Sequence, residues 1–522
     1  MRVLIAVPPS LFPATGPAFI AASLKRAGHQ VGGCIYKSRR ELRQCLGEKR
    51  YDVFMTGGLC TQFYAIRDMV REAKKVGAIT VVGGGIVTAE PALMLRAIGA
   101  HYAVLGQGEA TAVELLDVLQ KGLHPNQVDG IGMFYQLAEP TGRWYKQTDP
   151  RKDTANLDSL PFPDYDVFDF RSQLDLMRPS DRSMLSIVDY PREYPLVASR
   201  ACPYHCTFCY HTSGYNYRCR SILSIMEELR LVVPKYNINL VFIIDELFSA
   251  NEQRMAEFCT EFNKLREATP WELRWTCGLH VSTVTKPMLD MMRGSGCYLI
   301  GYGFESASQT VLTSMRKQAT PAQIAFAVKE SAARGIIGLG NFIFGDRAET
   351  LETAEETLSF WRKYWKTGIY IGTIAHCPNS PNYQYAIRLG LIRNRLRHAV
   401  KRLWEPLNIT SMSNKDFARL IVRLMRVNSM ESPWAVPIKR DFWQVTVRCP
   451  HCQQIVFYQN FKLSRWGKSD VYCRECHGRF FISTRLRCWT QHILARVFLH
   501  GWLPFYIHKY LTRLRALVER KA

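Results

Sequence analysis

The sequence is short of acidic residues: 45 Asp and Glu stand against 68 Lys and Arg, for a net charge of +23. It has no uninterrupted apolar run of about 18 residues, so no ordinary transmembrane helix is expected. The opening Met-Arg-Val-Leu-Ile-Ala-Val-Pro-Pro is too short for the apolar centre of an export signal and the right length for a buried strand. Without such a signal, the 16 cysteines are not expected to form a disulfide framework, and a cytoplasmic setting is expected. The dinucleotide fingerprint Gly-x-Gly-x-x-Gly is missing after the first strand, which argues against NAD. What is there is globular, 47% hydrophobic and 22% charged over 522 residues, enough for three or four domains of about 150 residues.

In the first third, short β-type runs alternate with helical patterns: Val3 to Val7, Val31 to Tyr36, Asp52 to Thr56, Ile79 to Val82 and Tyr102 to Leu105 are each followed by a helix. Near-continuous apolar strands in five βα repeats predict a parallel, doubly wound Rossmann-like sheet whose ligand lies beyond the C-terminal strand ends. The loops there are Pro8 to Pro13, Gly57 to Gln62, Gly83 to Thr88 and Gly106 to Glu109. Their glycines let a large ligand approach the backbone, or else only serve tight turns. Gly130 to Tyr135 reads as a short further strand, followed by an irregular, Pro-rich connector.

The central segment Cys202-Pro203-Tyr204-His205-Cys206-Thr207-Phe208-Cys209 has the spacing Cys-x-x-x-Cys-x-x-Cys. Three thiolates on one loop suit a cubane iron–sulfur cluster with one iron left open to chelate an amine and a carboxylate. A tetrahedral zinc site completed by His205 or His211 is the rival reading. Six βα repeats follow, from Tyr194–Ser199 to Ile369–Ala375, and predict a partial (β/α)6 barrel with its active site at the C-terminal strand ends. Candidate residues at those ends are Asp245, Glu246, Gly303, Glu305 and Ser306. A helical, apolar-periodic stretch follows from 394 to 440.

Near the end, Cys449-x-x-Cys452 and Cys473-x-x-Cys476 are twenty residues apart and flanked by short β-type runs, a strong zinc-ribbon signal. A rubredoxin-like iron is the alternative. Four ligands with no open position point to a structural metal, Zn2+, that supplies folding energy to a module with little core. From Lys439 onward there are sixteen Lys and Arg against four Asp and Glu, which implies an anionic partner. The tail from Arg485 mixes bases with Trp489, Phe498, Trp502 and Phe505. That composition fits peripheral contact with the inner face of a membrane, and equally a helix docked on its own protein. Nucleic acid is a third candidate for the basic surface.

Residues 1 to about 393 resemble the cobalamin-dependent (B12-binding) radical SAM superfamily, and in particular its class B methyltransferases. The resemblance rests on Gly57-Gly58 with Thr61-Gln62, on Gly83 to Thr88, on Gly106 to Glu109, on the cysteine spacing with Phe208 before its third Cys, and on Ile243 to Glu246 and Ile300 to Ser306. It implies a 4Fe-4S cluster on Cys202, Cys206 and Cys209. It implies S-adenosylmethionine (SAM) contacts by Phe208, Asp245, Glu246, Gly303, Glu305 and Ser306. It implies cobalamin contacts by Pro9, Gly57, Gly58, Thr61, Gln62, Gly83, Gly84, Thr88, Gly108 and Glu109. The Asp-x-His-x-x-Gly signature is absent, so no histidine is expected on the lower face of cobalt.

The implied activity is cleavage of SAM to a 5′-deoxyadenosyl radical and modification of an unactivated carbon, by methyl transfer through methylcobalamin or, alternatively, by cyclisation or rearrangement. An RNA-modifying enzyme using the ribbon and basic tail is a further alternative. Implied partners are a small-molecule, lipid or peptide substrate and a low-potential donor such as ferredoxin or flavodoxin. Two loops depart from the family: Asp346-Arg347-Ala348 replaces Pro-Gly after Gly345, and Pro378-Asn379-Ser380 replaces Pro-Gly-Thr. The expected division is 1–135 cobalamin domain, 136–190 linker, 191–393 barrel, 394–440 helical region, 441–484 ribbon and 485–522 tail.

Overall fold

A computed structural model describes residues 1–48, 50–136, 143–249, 251–463 and 467–490. The tail expectations beyond residue 490 lie outside the described residues. Strands β1 (Arg2–Val7), β2 (Gln30–Ile35), β3 (Val53–Gly57), β4 (Ile79–Gly83), β5 (Tyr102–Val104), β6 (Ile131–Gln136) and β7 (Arg143–Gln147) form one sheet in the order β2-β1-β3-β4-β5-β6-β7. The first five run parallel. Both faces are covered, as the unbroken apolar strands require. Along β1, Val3, Ile5 and Val7 pack on Ala18, Ala21 and Leu24, while Leu4 and Ala6 face Phe63, Ile66 and Met69.

The sheet extends past the expected five repeats. Strands β6 and β7 add antiparallel to its edge, and β7 falls where an irregular connector was expected. An edge strand needs only one buried side, and Arg-Trp-Tyr-Lys-Gln carries too little apolar alternation to announce itself.

The second body is a six-stranded parallel sheet: β8 (Glu193–Leu196), then, beyond the short antiparallel pair β9 (Ser199–Arg200) and β10 (Arg218–Cys219), β11 (Leu240–Ile243), β12 (Arg274–Leu279), β13 (Cys297–Glu305), β14 (Ile337–Phe344) and β15 (Ile369–Thr373). Its order is β15-β14-β13-β12-β11-β8. Helices begin at encoded caps: Ser221, Asn251, Thr285 and Thr320 each accept a backbone N–H of the first turn. In the 394–440 region, helix Asn414–Arg426 buries Phe417, Leu420, Ile421 and Leu424 against this body.

The linker joins the two bodies. The Tyr165 hydroxyl lies 3.0 Å from Thr15 Oγ1 and 3.2 Å from the Pro195 carbonyl. Glu90 accepts hydrogen bonds from Tyr383 (2.8 Å) and Arg395 (2.8 Å), tying the first domain to the segment that follows the barrel.

The C-terminal module has two small sheets. One is built from β16 (Trp434–Ala435), β20 (Lys468–Tyr472) and β21 (Arg479–Ser483); the other from β17 (Lys439–Arg440), β18 (Gln444–Arg448) and β19 (Ile455–Gln459). The module seats on the N-terminal ends of the barrel strands, the end opposite the cysteine loop. Tyr472, fully buried, packs with Leu240, Tyr298, Leu299 and Ile337 from the barrel and with Met184 and Leu185 from the linker. The Tyr472 N–H donates to Ser186 Oγ at 2.9 Å, Arg474 pairs with Asp189 at 2.8 Å, and Tyr370 of β15 donates to Asp470 at 2.7 Å. Replacing Tyr472 with Ala should therefore cost about 3–5 kcal/mol, as for other large buried aromatics. The check is the denaturant midpoint of the full chain, with an unchanged midpoint as the contrary result.

Candidate active site between the two sheets

The cysteine-bearing loop is pinned at both ends. Ser199 and Arg200 pair antiparallel with Cys219 and Arg218, so residues 201–217 leave and return at one point. Ala201 enters the loop in the left-handed region at φ 68°, a cost that a non-glycine residue bears only when its surroundings fix it. Cys202 and Cys206 are buried, and burial raises both thiols above their usual range. A metal must therefore draw off those protons itself. Phe208 sits in an apolar cluster with Val311, Met315, Ile343 and Ile374, and the Thr207 N–H donates to the Met315 carbonyl at 3.0 Å.

Beside this loop lies a cavity of about 580 Å³. One wall comes from the C-terminal strand ends of the first sheet: Gly57, Gly58, Gln62, Gly83, Gly84, Thr88, Gly108 and Glu109, over the apolar floor of Ile5, Met55, Val81 and Val104. The other comes from the barrel: Val197, Ser199, Arg200, Ala201, Thr212, Ser213, Asp245 and Glu246. Pro9 and Thr61 are not among the lining residues, although Pro9 accepts a 3.5 Å hydrogen bond from Gln62 through its carbonyl. His29 and His101 do not line the cavity either; His101 Nδ1 accepts the Thr80 N–H at 2.9 Å.

The glycines fit a large, flat ligand. A Cβ at Gly106 would meet no atom within 4 Å and would project into the open space. At Gly57 it would stand 2.6 Å from the Gly83 carbonyl and force the strand ends apart. Gly84, at φ 84°, needs glycine for its turn.

Sequence reasoning missed Arg200. Its guanidinium pairs with Glu109 at 2.5 Å and reaches Gln107 at 3.3 Å, joining the last glycine loop of the first domain to the root of the cysteine loop. Its place two residues before Cys202 was the available signal, but nothing in the sequence names Glu109 as its partner.

The remaining expected contacts are spread around the cysteine loop. Asp245 accepts the Ala198 N–H at 2.9 Å, and burial pushes its carboxyl up to about 7. Glu246 accepts from His211 Nδ1 at 2.5 Å. Hydrogen bonding to Cys209, then to Glu246, raises the His211 imidazole to about 10 against its burial. Glu305, at φ 63°, pairs with Lys317 at 3.1 Å. Burial pulls Lys317 down, but Glu305 and the sulfurs of Cys206 and Cys202 outweigh it and raise the ammonium. A Cβ on Gly303 would collide with that ammonium, so glycine makes room for it. The Ser306 hydroxyl is committed to Thr357 Oγ1 (3.0 Å) and to the Ser308 N–H (3.1 Å).

In the C-terminal module, the sulfurs of Cys449, Cys452, Cys473 and Cys476 all lie within 4.8 Å of one another. The Cys449–Cys476 and Cys452–Cys473 separations are both 3.8 Å. A tetrahedral metal with bonds of about 2.3 Å to sulfur requires about 3.8 Å between sulfurs, so the set fits zinc. Each Cys-x-x-Cys turn ends on a left-handed residue, Gln453 (φ 64°) or His477 (φ 57°).

Comparison with known proteins places this geometry. Residues 1–116 match the B12 binding domain, and residues 196–360 match the Radical SAM superfamily. An uncharacterized methyltransferase of Pyrococcus horikoshii is 27% identical over 413 residues, spanning 75% of this chain and 84% of its own length. The anaerobic magnesium-protoporphyrin IX monomethyl ester cyclase of Cereibacter sphaeroides is 25% identical over 381 residues, spanning 68% of this chain and 56% of its own length. Among solved structures, the radical S-adenosylmethionine methyltransferase TsrM from Kitasatospora setae, with cobalamin and a 4Fe-4S cluster bound, superposes with a TM-score of 0.60 at 18% identity over 74% of this chain and 75% of its own. The cobalamin-dependent enzyme OxsB does so with a TM-score of 0.63 at 17% identity over 82% and 66%. At these identities the superpositions speak to the fold.

The buried Glu305–Lys317 pair yields a stability prediction. Lys317→Met should cost about 3–5 kcal/mol by stranding a buried carboxylate. Adding Glu305→Gln should recover much of that loss in the same chemical denaturation measurement, and a double variant no better than the single would contradict the pairing.

Proposed function

Since this chain belongs to the radical SAM superfamily and carries a B12 binding domain, we propose that it is a cobalamin-dependent radical SAM methyltransferase acting on an unactivated carbon of a small molecule. One observation carries the reading: a single cavity is walled on one side by the glycine loops of the first domain and on the other by the root of the cysteine loop. Cys202, Cys206 and Cys209 would hold the cluster; the loops at Gly57, Gly83 and Gly106 would hold cobalamin. When bound, these groups supply reductive cleavage of SAM and carriage of a methyl group.

The chain's own residues do the rest. The glycine loops would offer backbone rather than side chains to a broad ring bound there, and Ile5, Met55, Val81 and Val104 make that part of the cavity apolar. Arg200 and Glu109 neutralise each other at the cavity wall. Glu246 has one carboxylate oxygen on His211 and the other free to accept from the amine of SAM. Glu305, held by Lys317, is positioned beside the cysteine loop for the same substrate. A low-potential donor such as ferredoxin or flavodoxin would supply the electron, in a cytoplasmic setting. Among the described residues no helix is long and apolar enough to cross a membrane.

Methylation is favoured over cyclisation by the methyltransferases among the relatives, including a cytidylyl-2-hydroxyethylphosphonate methyltransferase from Streptomyces wedmorensis, 24% identical over 286 residues. The test is anaerobic preparation with hydroxocobalamin. About four iron, one cobalt and one zinc per chain are expected, with trideuteromethyl label from SAM appearing in product. Alanine at Cys202, Cys206 or Cys209 should reduce 5′-deoxyadenosine release under dithionite to background; release that persists in all three would refute the reading.

The four-cysteine site we read as structural zinc. It lies at the opposite end of the barrel strands from the cysteine loop, so its part is to hold Tyr472 in the barrel base. A zinc chelator should lower the thermal unfolding midpoint while the visible absorbance of the iron–sulfur cluster persists. Unchanged unfolding after zinc loss would remove the structural role.

A further inference from the structure

The sheet of β17, β18 and β19 in the C-terminal module has one face in the module's core and the other in solvent. Val445, Val447, Val456 and Tyr458 point inward. The alternate residues point outward, and cross-strand pairing sets them side by side: Lys439 with Thr446, Thr446 with Phe457, Arg448 with Ile455. The solvated face of an antiparallel sheet ordinarily carries polar side chains. Here Ile455 and Phe457 are exposed, beside the exposed cations of Lys439 and Arg448. The turn between β17 and β18 adds Phe442 at 68% and Trp443 at 40% exposure, packed edge-on with 4.7 Å between ring centroids. Ile438, just ahead of β17, is exposed as well. Large apolar side chains gathered on one small module are more than scattered surface hydrophobics account for, and mark an interaction surface.

The setting of these side chains is cationic. From Lys439 onward sixteen Lys and Arg stand against four Asp and Glu. Asp441 is the only acid from 438 to 463, and its carboxylate is spent on the turn, accepting the Trp443 N–H at 2.8 Å. The Arg178 guanidinium lies over the Trp443 ring at 4.1 Å, and the Lys462 ammonium stands 6.0 Å from the centre of the Phe442 ring. Apolar side chains ringed by cations complement a partner with anionic groups above hydrocarbon, which is an anionic lipid surface. Single-stranded nucleic acid supplies the anions but needs open aromatic faces for its bases. Arg178 covers a face of Trp443, Phe442 meets that ring edge-on, and Ile438 and Ile455 offer no ring at all.

We propose that the turn Phe442-Trp443 and the outer face of β17, β18 and β19 dock on an anionic lipid surface. The aromatic pair enters the boundary between headgroups and hydrocarbon, and Lys439, Arg448 and Lys462 meet the lipid anions. The module then lies on a bilayer without crossing it. None of these residues lines the cavity between the two sheets, so the inference stands apart from the cofactor reading.

The experiment is co-sedimentation of the full chain with vesicles of phosphatidylcholine alone or mixed with phosphatidylserine, in low and high salt. It compares wild type with two double variants, Phe442→Ser with Trp443→Ser and Lys439→Glu with Arg448→Glu. These positions are exposed, so each variant should unfold at a temperature near that of wild type. Wild type should pellet with the mixed vesicles, bind phosphatidylcholine alone more weakly, and release as salt rises. Each double variant should lower partitioning onto the mixed vesicles by about tenfold or more. Wild type that stays in the supernatant overturns the proposal. Undiminished binding in either folded variant also overturns it, because the contact is then made elsewhere on the chain. Equal affinity for neutral vesicles overturns it too, as does tighter binding of a single-stranded RNA oligonucleotide that the same variants lose. Should one variant fail to fold, the other decides.

Discussion

The pairing of Arg200 with Glu109 is the contact on which the chemistry of this chain depends. Each domain alone presents strand ends and loops to solvent. Only when the last glycine loop of the first sheet is held against the root of the cysteine loop do the two sets of loops share a cavity. Both side chains are close to fully buried, at 11% and 8% exposure. A buried ion pair is a weak source of net stability, because desolvation consumes most of its attraction. Its value here is geometric: a bond from Arg200, at the end of the short strand β9 (Ser199–Arg200), to Glu109, the first residue of the helix Glu109–Gln120 in the other domain, admits little sliding. The apolar core, continuous from Val3 through Tyr165 to Tyr194, supplies the adhesion, and the ion pair supplies the alignment.

The molecule separates its two sulfur sites by the length of the barrel strands. At the C-terminal ends, loops carry buried cysteines, a histidine held by Glu246 and carboxylates in strained or charged surroundings. At the N-terminal ends, the module with four cysteines has its sulfurs at the spacing of a closed tetrahedron and its aromatic Tyr472 sunk into the barrel base. A partial barrel leaves its base open; the module, which has a small core of its own around Val445, Val447, Tyr458, Phe480 and Ile482 rather than the little core its size suggested, plugs that base with Tyr472. Beneath the same sheet the hydroxyls of Tyr370, on the edge strand β15, and Ser183, of the linker, meet at 3.0 Å.

Much of this was legible in the chain. Runs such as Val3 to Val7 and Leu240 to Ile243 are apolar on both faces and can only be interior strands. Ser221, Asn251, Thr285 and Thr320 mark helix starts because a side-chain oxygen must satisfy the first free amides. The two cysteine groupings stand out because ligand spacing is local. Strand β7 was not legible, since an edge strand with an exposed Trp144 carries no clear alternation. The partners of Arg200, Lys317 and His211 were not legible either, since each lies on a different element from its carboxylate.

The sequence by itself therefore determined the interior strands, the capped helices, their order and the two cysteine groupings, because those are properties of residues within a few positions of one another. Tertiary structure alone decided that Glu109 faces Arg200, that Glu246 faces His211, that Ser306 is spent on Thr357, and that the ribbon closes the base rather than the mouth. These are pairings between groups tens to hundreds of residues apart, chosen by which polar atoms are stranded together when apolar surfaces pack, and no local pattern encodes that choice.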